Sequence, residues 1–202
     1  LRRRSGTTGN LRFVRFVRWL ERRRFDMNLH LAHQAEGFYA LDAQIGSPLW
    51  SRYAGEGMAS NNNTPYPVAA PLTLGSAVYT VTQDGLHAMD YSSGQQRWTF
   101  ETLGEVPPDK LMKREPSAPV TDGSVLYLSA WPYLGRGAPR ISYVYAVDAQ
   151  SGAGLWATEV AGTDITAPVL ADDFLFVATG ASLHALDSAT GAIRWQFGEG
   201  PV

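Results

Sequence analysis

An all-β fold, built from repeated four-stranded antiparallel meanders behind an N-terminal amphipathic helix, is what this sequence predicts. Three observations predict it. One frame recurs four times: YALDAQIGSPLW (39–50), HAMDYSSGQQRW (87–98), YAVDAQSGAGLW (145–156) and HALDSATGAIRW (184–195). A second piece precedes the last three copies: APLTLGSAVYTV from Ala70, APVTDGSVLYLS from Ala118 and APVLADDFLFVA from Ala167. Each piece reads as two short strands around a tight turn, and serial hairpins repeated at roughly 40 to 50 residues make the blades of a β-propeller.

The first element is the helix. Residues 1–25 hold nine Arg and one Glu, whereas the other 177 residues hold eight basic and eighteen acidic groups. In LRFVRFVRWLERRRF (11–25), Arg12, Arg15, Arg18 and Arg22 form one stripe and Leu11, Val14, Val17 and Leu20 another. That is a wide apolar face with a basic edge. We take a covering or linking helix first, hiding the open end of the blades. An interfacial membrane helix, a docking helix for an acidic partner, and upstream sequence ahead of a start at Met27 are the alternatives. Residues 1–35 are assigned to this basic helix or linker, with His30 and His33 three apart on one helical face. Without a carboxylate partner they are weak metal ligands.

The blades follow. Residues 36–53 supply only the last two strands of a blade, while 66–102, 115–160 and 164–198 make three complete ones. The prediction is therefore a partial propeller of about three and a half blades. In each frame the first residues alternate as a strand. Asp42, Asp90, Asp148 and Asp187 end it, where a carboxylate accepts turn N–H groups. Gly46, Gly94, Gly152 and Gly191 suit a positive φ. Trp50, Trp98, Trp156 and Trp195 anchor the next strand. An open arc leaves unpaired edges, so the chain is expected either as part of a longer propeller or in an assembly closed by another copy.

Spacing places the variation. The shortest complete unit, Asp148 to Asp187, is 39 residues. Relative to it, nine residues are added around AGEGMASNNNTPYP, nine around LGEVPPDKLMKREP and ten around WPYLGRGAPRIS. In an up-and-down meander all three connections leave the same face, and long loops on a rigid scaffold carry function. We infer that this face binds a protein or peptide. Its candidate contacts are Lys110, Lys113 and Arg114 in one connection, and Trp131, Tyr133, Arg136 and Arg140 in the other.

The AxDxxxGxxxW frame resembles the tryptophan-docking motif of PQQ-type propellers, over roughly residues 37–198. That group includes quinoprotein alcohol dehydrogenases, the BamB-like outer-membrane assembly lipoprotein and extracytoplasmic sensor domains attached to bacterial kinases. The resemblance implies that each Trp packs on a neighbouring blade. In dehydrogenase members it also implies an eight-bladed ring, a calcium-linked quinone, a catalytic Asp and often a vicinal cysteine pair. This sequence has no Cys and no position matching a catalytic motif of that group.

No reaction can be read from the residues. The absence of Cys excludes disulfides, thiolate metal sites and Cys nucleophiles. The acidic body argues against nucleic acid. No run of 18 apolar residues and no signal-peptide pattern is visible. His87 and His184 fill the slot that Tyr39 and Tyr145 fill elsewhere, a packing slot with a polar tip. We therefore expect no catalytic residue, no metal and no cofactor. The expected role is a scaffold or sensing module of the bacterial cell envelope, periplasmic or extracytoplasmic. A fragment of a quinone-dependent dehydrogenase and a receptor-kinase sensor domain are the alternatives.

Overall fold

The computed structural model describes residues 29–34, 37–42, 44–53, 69–82, 85–102, 113–133, 140–180 and 182–198. The helix expected over 11–25, with its membrane contact, lies outside them. The described residues form four antiparallel sheets. The first is β1 (Leu29–Gln34), β2 (Gly37–Asp42) and β3 (Pro48–Tyr53). The second is β4 (Leu72–Leu74), β5 (Ala77–Thr82), β6 (Gly85–Asp90) and β7 (Gln96–Glu101). The third is β8 (Lys113–Pro116), β9 (Val120–Thr121), β10 (Val125–Tyr133), β11 (Ile141–Asp148) and β12 (Gly154–Ala161). The fourth is β13 (Val169–Ala171), β14 (Phe174–Ala178), β15 (Ser182–Asp187) and β16 (Ile193–Gly198). Each sheet follows chain order, as a meander requires.

One boundary is corrected. Leu29–Gln34, assigned to the helix or linker, is strand β1 and pairs with β2 from Leu29↔Asp42 to Gln34↔Gly37. Among the described residues the first sheet therefore has three strands, one more than the two expected. The edge of β2 presents backbone donors and acceptors that an adjacent segment can satisfy. The helical face that would unite His30 and His33 is absent, since both lie in β1.

The recurring alanine has a steric task. Ala88 stands between Tyr79 and Trp98 in register, Ala146 between Tyr127 and Trp156, and Ala185 between Phe176 and Trp195. Across this small residue the flanking rings meet at 5.7, 6.0 and 5.9 Å between centroids. One position past the alanine, all four sheets shift register. Such a bulge sharpens the local twist.

Neighbouring sheets meet through these indoles. The Trp50 ring lies over Gly94, Trp98 over Gly152 and Trp156 over Gly191, where an added Cβ would sit 2.5 to 2.6 Å from the ring. The same glycines hold φ of 67°, 76° and 73°. Trp50 Nε1 donates to the Tyr91 carbonyl at 2.9 Å, and Trp156 Nε1 donates to the Ser188 carbonyl at 3.1 Å. The equivalent acceptor for Trp98, the Ala149 carbonyl, takes the Tyr79 hydroxyl at 2.9 Å instead. Trp98 Nε1 has no partner among the described residues. Apolar side chains fill the rest of each joint, including Leu86, Leu126, Leu128 and Val147 between the second and third sheets.

The opposite end of the blades is polar inside. Thr80, Thr82, His87, Thr102, Ser129, Ser142, Ser182 and His184 are all buried. Each lies toward the end where β5, β10 and β14 finish and the next strand begins. The His87 ring bridges Thr82 Oγ1 at 2.9 Å and Thr99 Oγ1 at 3.1 Å. Burial lowers its pKa from 6.5 to about 4. Burial also lowers that of His184, against a smaller opposing effect from the Ala161 backbone. The polar tips of this slot are thus enclosed rather than exposed.

Two predictions follow from this packing. Gly152→Ala inserts a methyl into the Trp98 ring at positive φ, and should cost about 2–4 kcal/mol in urea unfolding. Gly75→Ala, at φ 58° with nothing within 4 Å, should cost only about 1 kcal/mol. Equal losses would mean that backbone strain alone is being measured. For His87, the neutral ring is common to folded and unfolded chains above pH 6.5, so its contribution is then fully present. As pH falls from 6.5 toward 4 the unfolded chain binds a proton that the folded one refuses, a loss on the order of 3 kcal/mol. His87→Gln should flatten the fall in urea midpoint between pH 7.5 and 4.5. An unchanged slope would rule this origin out.

Candidate functional site

The turn aspartates are occupied locally. Asp42 Oδ1 accepts from the Gln44 and Ile45 amides, Asp90 Oδ1 from Ser92 and Ser93, Asp148 Oδ1 from Gln150 and Ser151, and Asp187 Oδ1 from Thr190. Asp90 also pairs with Arg97 at 2.7 Å and Asp187 with Arg194 at 2.6 Å. Hydrogen bonds from Ser92, then Arg97, hold the Asp90 carboxyl far below the usual carboxylate range. Those from Arg194 and Thr190 bring Asp187 to about 2. The four carboxylates sit one per sheet, each committed to its own turn. That arrangement offers no converging pair for acid–base chemistry.

No group of three or more His, Asp or Glu is placed to hold a metal ion among the described residues. With the turn carboxylates already engaged, the described donor set does not fit a calcium-linked quinone.

The third sheet differs from its neighbours at one end. Measured from the aromatic–Ala–Trp row, β10 runs three residues further than β5 toward the long connections, and β11 and β12 each run two further than β6 and β7. At about 3.3 Å per residue, this blade projects roughly 7–10 Å beyond the second. Two connections read as inserted loops contribute to it. Lys113 and Arg114 lie in β8, opposite Tyr133 and Pro132, and Glu115 lies opposite Trp131. Trp131 and Tyr133 belong to β10, and Arg140 is exposed immediately before β11. The nine-residue β10 offers backbone groups beyond β9, and β8 satisfies them.

Strand alternation places Trp131 on the same face as Ser129. Ser129 Oγ donates to the Thr166 carbonyl at 2.8 Å, across the joint to the fourth sheet. The Arg140 carbonyl accepts from the Gly162 amide at 2.8 Å, tying the base of its loop to the end of β12. The structure thus gathers Lys113, Arg114, Trp131, Tyr133 and Arg140 at one projecting tip. Lys110 and Arg136 lie outside the described residues.

Of the eight basic residues after position 25, Lys113, Arg114 and Arg140 lie at this tip, and Lys110 and Arg136 belong to the two connections but are outside the described residues. The other three are committed elsewhere. Arg97 and Arg194 pair with turn aspartates, and Arg52 Nε donates to the Gly94 carbonyl at 2.9 Å. The strand extension itself was not legible as such in the sequence. Its only signal was the surplus length between repeats.

Residues 26–197 match the family model described as outer membrane protein assembly factor BamB. The outer membrane protein assembly factor BamB of Yersinia pestis is 29% identical over 149 residues, 73% of this chain and 35% of that protein. The chain thus spans about a third of the length of the curated relatives it matches. Among solved structures, the computationally designed Ika8 protein aligns at a TM-score of 0.61 and 14% identity, over 88% of this chain and 48% of the other. A europium-containing methanol dehydrogenase aligns at 0.61 and 14%, over 86% and 40%. These structural similarities speak to the fold alone. Four in-register Asp–Gly–Trp frames, four meander sheets and a family match over residues 26–197 together establish that the chain belongs to the BamB family of PQQ-like β-propeller repeats.

Proposed function

We propose that this chain is a non-catalytic propeller scaffold of the bacterial cell envelope, periplasmic or extracytoplasmic, that holds a protein or peptide partner on the projecting tip of its third blade. One observation carries the reading. The tip brings Lys113, Arg114 and Arg140, three of the eight basic residues after position 25, to the same end as Trp131 and Tyr133 in an otherwise acidic body. Arg and aromatic residues supply the anchors of protein interfaces. The name of the relatives, an outer membrane assembly factor, supports an envelope setting. The engaged turn aspartates and buried histidines support a role without catalysis.

A photo-reactive residue in place of Arg140 should cross-link an envelope protein in living cells. The same group at Leu155, exposed on β12 away from the tip, should not. Replacing both Trp131 and Arg140 by Ala should lower recovery of that partner at least about tenfold, the loss of one interface anchor. Undiminished recovery with unchanged circular dichroism would remove the tip from the binding site.

A further inference from the structure

The second, third and fourth sheets each begin on an edge strand. β4 and β13 are three residues long and β9 is two. Edges that short are poor templates for a further strand. β9 also lies beside β13 of the fourth sheet. β8 differs. It is four residues long, ends the order β12-β11-β10-β8 among the described residues, and stands on the projecting part of the third sheet. In an antiparallel pair alternate residues turn their N–H and C=O groups toward the partner and the others turn theirs away. β8 spends one set on β10, and among the described residues no strand takes the other. Successive residues of a strand belong to opposite faces. Lys113 and Arg114 therefore give each face of this edge one cation. Glu115 shares the face of Lys113, and Arg140, exposed before β11, belongs to the same tip.

We propose that the free edge of β8 takes an extended acidic peptide as an added strand, and that Lys113 and Arg114 select two consecutive carboxylates on it. This rests on the tip being the partner site and names the partner's chemistry. In strand addition main-chain hydrogen bonds supply affinity, and side chains on the two faces supply specificity. Neighbours on the added strand also fall on opposite faces. Only adjacent Asp or Glu residues therefore set one carboxylate opposite Lys113 and the other opposite Arg114. Two carboxylates with a residue between them share a face and leave one cation unmatched. The position opposite Glu115 must not be acidic, because like charges facing each other across strands repel, and this fixes the register. After position 25 the chain carries eighteen acidic groups against eight basic ones. An acidic peptide is thus repelled by the rest of the body and drawn to this tip.

The test titrates the purified chain with a Thr- and Val-rich peptide of about eight residues, a typical strand length, with Asp-Glu at its centre. Binding should be measurable below about 1 mM. Methylating alternate backbone amides leaves the charge intact. In one of the two phases it should weaken binding at least about tenfold, the loss of two strand hydrogen bonds. Separating the two carboxylates by one residue should weaken it about threefold, the loss of one exposed pair. A chain carrying Lys113→Glu and Arg114→Glu, with unchanged circular dichroism, should lose the acidic peptide and take its Lys-Lys counterpart. Equal binding of both methylated forms would reduce the contact to charge and overturn strand addition. So would no binding at about 1 mM. A reversed chain that self-associates without taking the Lys-Lys peptide would make Lys113 and Arg114 mere guards of the edge, and would overturn it too. If cross-linking from Arg140 persists beside such a failure, strand addition falls and the tip remains the partner site; if it is lost as well, both fall.

Discussion

The arc is held together by the absence of an atom. At Gly94, Gly152 and Gly191 an indole occupies the space where a side chain would begin. The same three residues turn the chain at positive φ. Turn conformation and contact between sheets therefore make one demand on one residue, and only glycine meets both. Burying even half of an indole is worth about 2–3 kcal/mol. The Asp–Arg pairs near the same turns are exposed to solvent, which screens them and leaves them a minor contribution. Ring against backbone sets the spacing of the blades, and the ion pairs adjust it.

Polar detail around this contact varies from joint to joint. Arg52 latches the first by donating to the Gly94 carbonyl, and Thr158 Oγ1 latches the third by donating to the Gly191 carbonyl at 2.7 Å. In the second, Tyr79 has taken the acceptor that Trp98 would otherwise use. The apolar geometry repeats while the hydrogen bonds are improvised. That is the pattern expected where packing supplies most of the energy and a single neutral hydrogen bond about 1 kcal/mol.

The architecture was legible in the sequence because its rules are local. An Asp four residues before a Gly, and a Trp four residues after it, describe a turn, a left-handed backbone position and a ring placed on the following strand. Strand β1 and the lengthening of the third blade were not legible in the same way. Leu29–Gln34 and Lys113–Pro116 become strands because β2 and β10 present unsatisfied backbone groups to them, and such pairing depends on the partner as much as on the segment. The tip residues Lys113, Arg114 and Trp131 could be named from loop length and charge. Their placement on paired strands could not. The histidine slot was similarly half legible. The alternation of Tyr and His marked a packing position, but the Thr82–His87–Thr99 bridge depends on register across three strands.

The buried hydroxyls and imidazoles give the two ends of every blade different responses to acid. Indole–glycine joints contain no group that titrates near neutrality, so the turn-bearing end is indifferent to mild acidification. At the far end, protons compete with burial for His87 and His184. Mild acid therefore draws on the stability of the rim that carries the long connections, through its buried imidazoles, and leaves the indole–glycine rim untouched.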